Sequence, residues 1–145
     1  MSSDRYALQK LIEILSQSME QNEQKVIRQS EFASLSMSKI HYLDTISHLE
    51  KPTISQLAKE LSVSKPSVTL TVESLKNMGY VRKVQSDQDL RMLHIHLTNK
   101  GKKIVTLHDA IHRGFAKYFE DALTEKELAL FVRLLNKAVN SMEKT

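Results

Sequence analysis

The stretch Thr53-Ile54-Ser55-Gln56-Leu57-Ala58-Lys59-Glu60-Leu61-Ser62-Val63-Ser64-Lys65-Pro66-Ser67-Val68-Thr69 decides the fold. Lys51-Pro52, just before it, ends a helix, because the residue preceding proline is pushed out of the α region. Thr53 or Ser55 then caps a short helix, Gln56 to Leu61, by accepting backbone N–H bonds. Ser62-Val63-Ser64 is a tight turn. Ser64 caps a second helix, and Pro66 sits in its first turn, where a missing N–H costs little. Val68, Val72 and Leu75 share one face and form the buried stripe of that helix. Gly79 is placed to stop it as the C′ residue.

After Gly79 the hydrophobic period changes from helical to two. Tyr80-Val81-Arg82-Lys83-Val84 reads as a strand, and Met92 to Leu97 alternates, with Leu93, Ile95 and Leu97 on one face. The polar tip Gln85-Ser86-Asp87-Gln88-Asp89-Leu90-Arg91 joins them. Upstream, Tyr6, Leu8, Leu11, Ile12, Leu15 and Met19 give a helix of about 25 residues. A loop at 30–36 follows it, then a helix carrying Met37, Ile40, Leu43, Ile46 and Leu49. Downstream, Thr98 caps a long helix with Ile104, Val105, Leu107, Ile111, Phe115 and Phe119. Thr124 and Glu127 form a capping box for the last helix. The expected fold is mainly α: about six helices plus a two-stranded β wing, a winged helix-turn-helix. Three parts of one compact chain follow: 1–36, 37–98 and 99–145.

Composition excludes several classes. A chain of 145 residues is about one domain. With no Cys there is no disulfide framework, no thiolate zinc finger and no cysteine nucleophile. Gly 3 and Pro 2 are too few for glycine-rich phosphate cradles or multi-hairpin β architectures. No activated serine and no general base paired with a histidine stands out, so an enzyme is not expected. No apolar run approaches the ~20 residues of a membrane span, and the N-terminus lacks the apolar core of a signal peptide. A cytoplasmic location is the expectation. Lys+Arg 21 against Asp+Glu 17 gives a net charge of +4, which permits nucleic-acid binding.

A helix-turn-helix holds its second helix so that the N-terminal, outward face enters a DNA major groove. Lys65, Pro66, Ser67, Thr69 and Leu70 are at that surface. Lys65 suits a phosphate or a guanine edge, Ser67 and Thr69 are short donors, and Leu70 reads shape or a thymine methyl. Ser55 and Gln56 open the preceding helix beside the duplex. Arg82, Lys83 and Arg91 give the hairpin positive charge, and Arg91 suits a narrow A·T minor groove. Asp89 is expected to hold Arg91 by a charge-assisted bond. The long apolar stripes of the terminal helices exceed what a small core covers, so a twin chain is their expected lid. A two-fold dimer calls for a pseudo-palindromic operator on double-stranded DNA.

The segment from Thr53 to Thr69 resembles the DNA-binding segment of the MarR transcriptional regulators. Leu75 to Tyr80 followed by Val81 and Arg82 is similar to their strand entry, Asp89-Leu90-Arg91 to their wing motif, and Leu97-Thr98-x-x-Gly101 to their exit into the fifth helix. The resemblance implies a homodimer built through the first, fifth and sixth helices. Two positions depart from the pattern: Leu70 and Leu90 stand where the family often carries a basic residue. The resemblance also implies an effector site. The run from Val84 to Thr98, with Leu107-His108, Ile111-His112 and Ile40-His41-x-x-Asp44-x-Ile46, is similar to the repressors of bacterial fatty-acid biosynthesis. That branch implies a fatty acyl chain delivered on acyl carrier protein. Glu23, His41, His108 and His112 resemble the ligands of one zinc site in the zinc-uptake repressors. On the residues alone, His108 and His112 are four apart and project from one helix face, a common zinc-ligand spacing, or they hydrogen-bond without metal. A nonspecific architectural DNA-binding protein is the further alternative.

Overall fold

The computed structural model describes residues 2–144. Among them are six helices and one two-stranded sheet: α1 (Ser3–Arg28), α2 (Met37–Leu49), α3 (Ile54–Leu61), α4 (Lys65–Asn77), β1 (Val81–Gln85), β2 (Leu93–Leu97), α5 (Asn99–Ala122) and α6 (Glu125–Met142). This is a mainly α winged helix-turn-helix chain. It separates into two compact units, Met1–Asp109 and Ala110–Thr145, with α5 running from one into the other.

The first unit is built around Ile40, Leu43, Ile46, Leu57, Val68, Val72, Leu75, Ile95 and Ile104, all essentially buried. Each comes from one stripe of its element, so α2, α3, α4, the wing and the start of α5 share one core. The chain turns that set the geometry are local. Thr53 accepts from the Gln56 N–H at 3.2 Å, and the Gln56 side chain returns a bond to the Thr53 N–H at 2.9 Å, a full capping box. Ser62 closes α3 in the left-handed region at φ 53°. Ser64 caps α4, with Pro66 at the second helical position.

α4 ends in a Schellman motif. Gly79, at φ 86°, donates to the Lys76 carbonyl at 3.0 Å, and Tyr80 donates to the Leu75 carbonyl at 2.9 Å. Tyr80 therefore completes a helix end and β1 begins one residue later, at Val81. Thr98 then ties the wing to α5. Its hydroxyl donates to the Gly79 carbonyl at 2.6 Å and accepts from the Gly101 N–H at 3.2 Å, while its own N–H donates to the Tyr80 carbonyl at 3.0 Å. The Lys100 ammonium lies 4.5 Å from the centre of the Tyr80 ring.

β1 and β2 pair antiparallel, with Val81 opposite Leu97, Lys83 opposite Ile95 and Val84 opposite His94. Alternation places Leu93, Ile95 and Leu97 on one face, as expected, but their burial differs. Ile95 is fully buried, whereas Leu93 is 40% exposed, because it lies at the tip end of the strand. Met92 is not a strand residue: its N–H closes the tip turn on the Asp89 carbonyl at 3.0 Å.

Before Pro52 the backbone departs from expectation. Glu50 and Lys51 lie at φ 52° and 63°, left-handed rather than extended. Two bonds hold this costly turn. The Lys51 carbonyl meets His94 Nδ1 at 2.7 Å, and the Pro52 carbonyl accepts from the Ile95 N–H at 2.8 Å. Residues 51 and 52 thus run along the outer side of β2.

In the second unit, Thr124 and Glu127 form the expected capping box at the start of α6. Phe119 and Phe131 stack with ring centres 5.2 Å apart, and Phe115 meets Phe119 edge-on at 6.1 Å. No residue of α6 is buried. Leu130, Val132, Leu134 and Met142 are each about half exposed or more, as are Tyr6, Leu8, Leu11 and Ile14 on α1 in the first unit.

Candidate nucleic-acid interface

The expected recognition surface is α4, held by what lies behind it. Val68, Val72 and Leu75 are fully buried, so the helix cannot roll about its axis. Lys65, Pro66, Ser67, Thr69 and Leu70 are all exposed. Their hydroxyls are partly engaged. Ser64 Oγ donates to Ser67 Oγ at 2.9 Å, and Thr69 Oγ1 donates to the Lys65 carbonyl at 2.9 Å. Thr69 thus presents acceptor capacity and a methyl group rather than a free donor. Gln56, expected beside the duplex, spends its side-chain oxygen on the cap of α3.

The wing tip is shaped by Asp89, but not as expected. Its carboxylate accepts from the backbone N–H of Arg91 at 3.0 Å, an Asx-type turn, and so fixes the chain rather than the guanidinium. Arg91 is exposed and lines a cleft of about 370 Å³ with Thr53, Ser55 and Leu93, so the start of α3 and the wing meet there. The two other cations of the wing diverge. Lys83 turns to α4 and pairs with Glu73 at 2.8 Å; that bond, with Lys76 nearby, holds the Glu73 carboxyl below its ordinary range. Arg82, on the other sheet face, lines a cleft of about 760 Å³ with Glu50, Lys51, His96 and Lys102. Partial burial, then the charges of Arg82, Lys51 and His94, push the His96 imidazole below its usual value. Sequence alternation signals that split between Arg82 and Lys83, but nothing in the sequence says which face α4 covers.

Glu23, His41 and His108 come together in the first unit, with Asp44 beside them. His108 is 2% exposed. Its Nδ1 lies 2.5 Å from Asp44 Oδ2 and its Nε2 3.3 Å from Glu23 Oε1, so α1, α2 and α5 meet on one imidazole. Asp44 was absent from the expected set, although it sits one turn after His41. Its other oxygen, Oδ1, is buried with no hydrogen-bond partner among the described residues. The His41 ring is centred 6.0 Å from that of His108. His112 lies one turn further along α5 and is exposed.

The hydrogen bond that His108 donates to the Asp44 carboxylate raises its value, against the desolvation that lowers it, and the charges of Asp44 and Glu23 add to the rise. A raised value means the fold favours the protonated ring. Its stabilisation is complete below about pH 6.5 and is lost as pH rises through the folded value. Thermal unfolding followed from about pH 6 to about pH 9 should therefore show Tm falling across that window. Asp44→Asn should flatten the slope; an equal slope in that variant would reject the assignment.

A recognition helix backed by a buried stripe, a preceding capped helix and a packed hairpin define a winged helix-turn-helix protein. The MarR family model matches residues 35–93. Over 98% of this chain and 99% of the other, the structure is similar to that of Streptococcus pneumoniae FabT in complex with DNA, with 30% identity and a TM-score of 0.85. Two transcriptional regulators of Bacillus subtilis are also similar. The HTH-type regulator YhjH is 26% identical over 111 residues, and PchR is 26% identical over 110 residues; each match covers 74% of this chain. The matches span 63% and 65% of the length of those two relatives. The chain belongs to the MarR family.

Proposed function

We propose that this chain is a dimeric, sequence-specific DNA-binding transcriptional regulator, a repressor acting in the cytoplasm, whose operator affinity is tuned by an effector. The observation that carries this reading is the exposed face of α4, from Lys65 to Leu70, opposite a fully buried stripe. The full-length likeness to FabT, whose structure holds DNA, supports duplex DNA as the partner. α4 enters the major groove and Arg91 the flanking minor groove. The exposed apolar side chains of α1 and α6 support a second copy as their cover, and a two-fold pair reads a pseudo-palindromic site. The parts at 1–36 and 99–145 serve that pairing.

Fluorescence anisotropy tests this directly. At ~0.15 M salt the chain should prefer a selected duplex over random DNA by a thousandfold or more. Arg91→Ala should weaken that binding about tenfold and leave Tm unchanged, since the side chain is exposed. Equal affinity for every duplex would instead mark an architectural binder.

The resemblance of the wing and α5 to the fatty-acid-biosynthesis repressors, with which the likeness to FabT agrees, supports an acyl chain on acyl carrier protein as effector. Zinc is the second reading, and the surroundings of His108 favour it. Asp44 fixes the ring through Nδ1, as outer-shell carboxylates do for metal-bound histidines, and Nε2 faces the Glu23 carboxylate. His41 is the neighbouring nitrogen donor in the same unit. Anisotropy with acylated carrier protein, zinc and chelator added in turn separates the two effectors.

A further inference from the structure

The outward ridge of α4 carries almost no hydrogen-bonding chemistry where it meets a base. At about 100° per residue, Leu70 points roughly 200° away from Val68 and so opposite the buried stripe of Val68, Val72 and Leu75. Pro66, one turn earlier, shares that direction. Leu70 is 74% exposed, more than any other large apolar residue described. It belongs to no apolar stripe, for its neighbours on the ridge are Ser67 and Ser74. The polar side chains beside it are partly engaged: Thr69 donates to the Lys65 carbonyl, Ser67 accepts from Ser64 while keeping its own O–H, and Glu73 is paired with Lys76 and Lys83. The first two turns hold no Arg, Asn or Gln; Lys65, at the first helical position, is the side chain there that suits a guanine edge, and it lies about 140° around the helix from Leu70. What the apex of this helix offers a groove is a branched hydrocarbon.

In the major groove the hydrocarbon of a base pair is the C5-methyl of thymine. We propose that Leu70 is a specificity-determining residue that reads a thymine methyl in each half-site, so that the core of the bound sequence is selected by an apolar contact rather than by bidentate hydrogen bonds. The inference rests on the DNA-binding reading above and deepens it by naming the chemical feature recognised.

Deoxyuridine differs from thymidine by that methyl alone and keeps every Watson–Crick and groove hydrogen bond. Duplexes enriched by the full-length chain from a random pool provide the probe. Each thymine of the enriched core is then replaced by deoxyuridine, and binding is read by anisotropy. One position per half-site should lose affinity about fourfold on replacement, the effect of one buried methyl, and about fifteenfold when both half-sites are changed. Leu70→Ala should bind the thymidine and deoxyuridine duplexes equally, with Tm unchanged, because the side chain touches no core. Leu70→Met, which keeps an apolar tip, should retain a preference for thymidine.

Three results would overturn the inference. The native chain binds every deoxyuridine duplex as tightly as its parent; or Leu70→Ala, still folded, keeps the native preference for the methyl; or the pool yields no enriched duplex. The first two leave sequence-specific binding intact and remove only the role of Leu70. The third removes the DNA-binding reading itself, and the inference with it.

Discussion

Val72→Asp is expected to leave the chain without a folded reading head at room temperature. Val72 has no exposed surface and sits between Val68 and Leu75 in the stripe that α4 turns inward. Aspartate there is either an unpaired buried charge or a protonated acid with no partner, and it also removes part of the apolar contact. The combined loss is about 4 kcal/mol or more, a large share of the stability of a domain this size. Circular dichroism in urea should show an early, broadened transition, and DNA binding should vanish although Lys65, Thr69 and Arg91 are untouched. Leu70→Asp, two residues away, is the control. That side chain is 74% exposed, so the fold should survive with its unfolding midpoint unchanged while binding falls. A Val72→Asp chain that unfolds at the native midpoint would mean that α4 is not oriented as described.

Gly101→Ala should destabilise the chain by about 2–3 kcal/mol, against the sign of helix propensity. Alanine normally favours a helix over glycine. Here a Cβ would overlap the Tyr80 carbonyl oxygen and crowd the Leu97 side chain. That carbonyl cannot retreat freely, because it already accepts from the Thr98 N–H at 3.0 Å, and Thr98 in turn holds the Gly101 N–H. The glycine is needed for close approach, not for an unusual φ. Gly114→Ala on the same helix is the contrast: a Cβ there meets nothing within 4 Å, so the substitution should stabilise by about 0.5–1 kcal/mol. Paired urea titrations read both signs. Equal stabilisation by both changes would show that the wing does not press against α5.

The features legible in the sequence are those written in local backbone chemistry. Ser64 with Pro66, Gly79 after Asn77 and Met78, and Thr124 with Glu127 each settle a helix end through bonds spanning a few residues. The wing showed itself because alternation separates Ile95 from His94 and His96. The binding face was legible in part, since a helix that buries Val68, Val72 and Leu75 must expose Lys65, Ser67 and Leu70. What could not be read is whatever depends on distant segments meeting. Asp44 and His108 are 64 residues apart and Glu23 and His108 are 85, and no pattern in the chain announces their contact. The capture of Lys83 by Glu73 and the placing of Arg82 on the opposite face depend on how the hairpin lies against α4. The local bonds of Gln56 and Asp89 escaped the sequence for a related reason: a polar side chain can serve its own backbone as well as a ligand.

The Lys51-Pro52 segment has a consequence beyond the turn it makes. A two-stranded ribbon ordinarily has open borders, and open borders recruit strands from other molecules. On the β2 border the Ile95 N–H is already taken by Pro52, and proline has no N–H to pass the ladder outward. The hairpin can therefore stand out from the body as a reaching arm without seeding fibrils along that side.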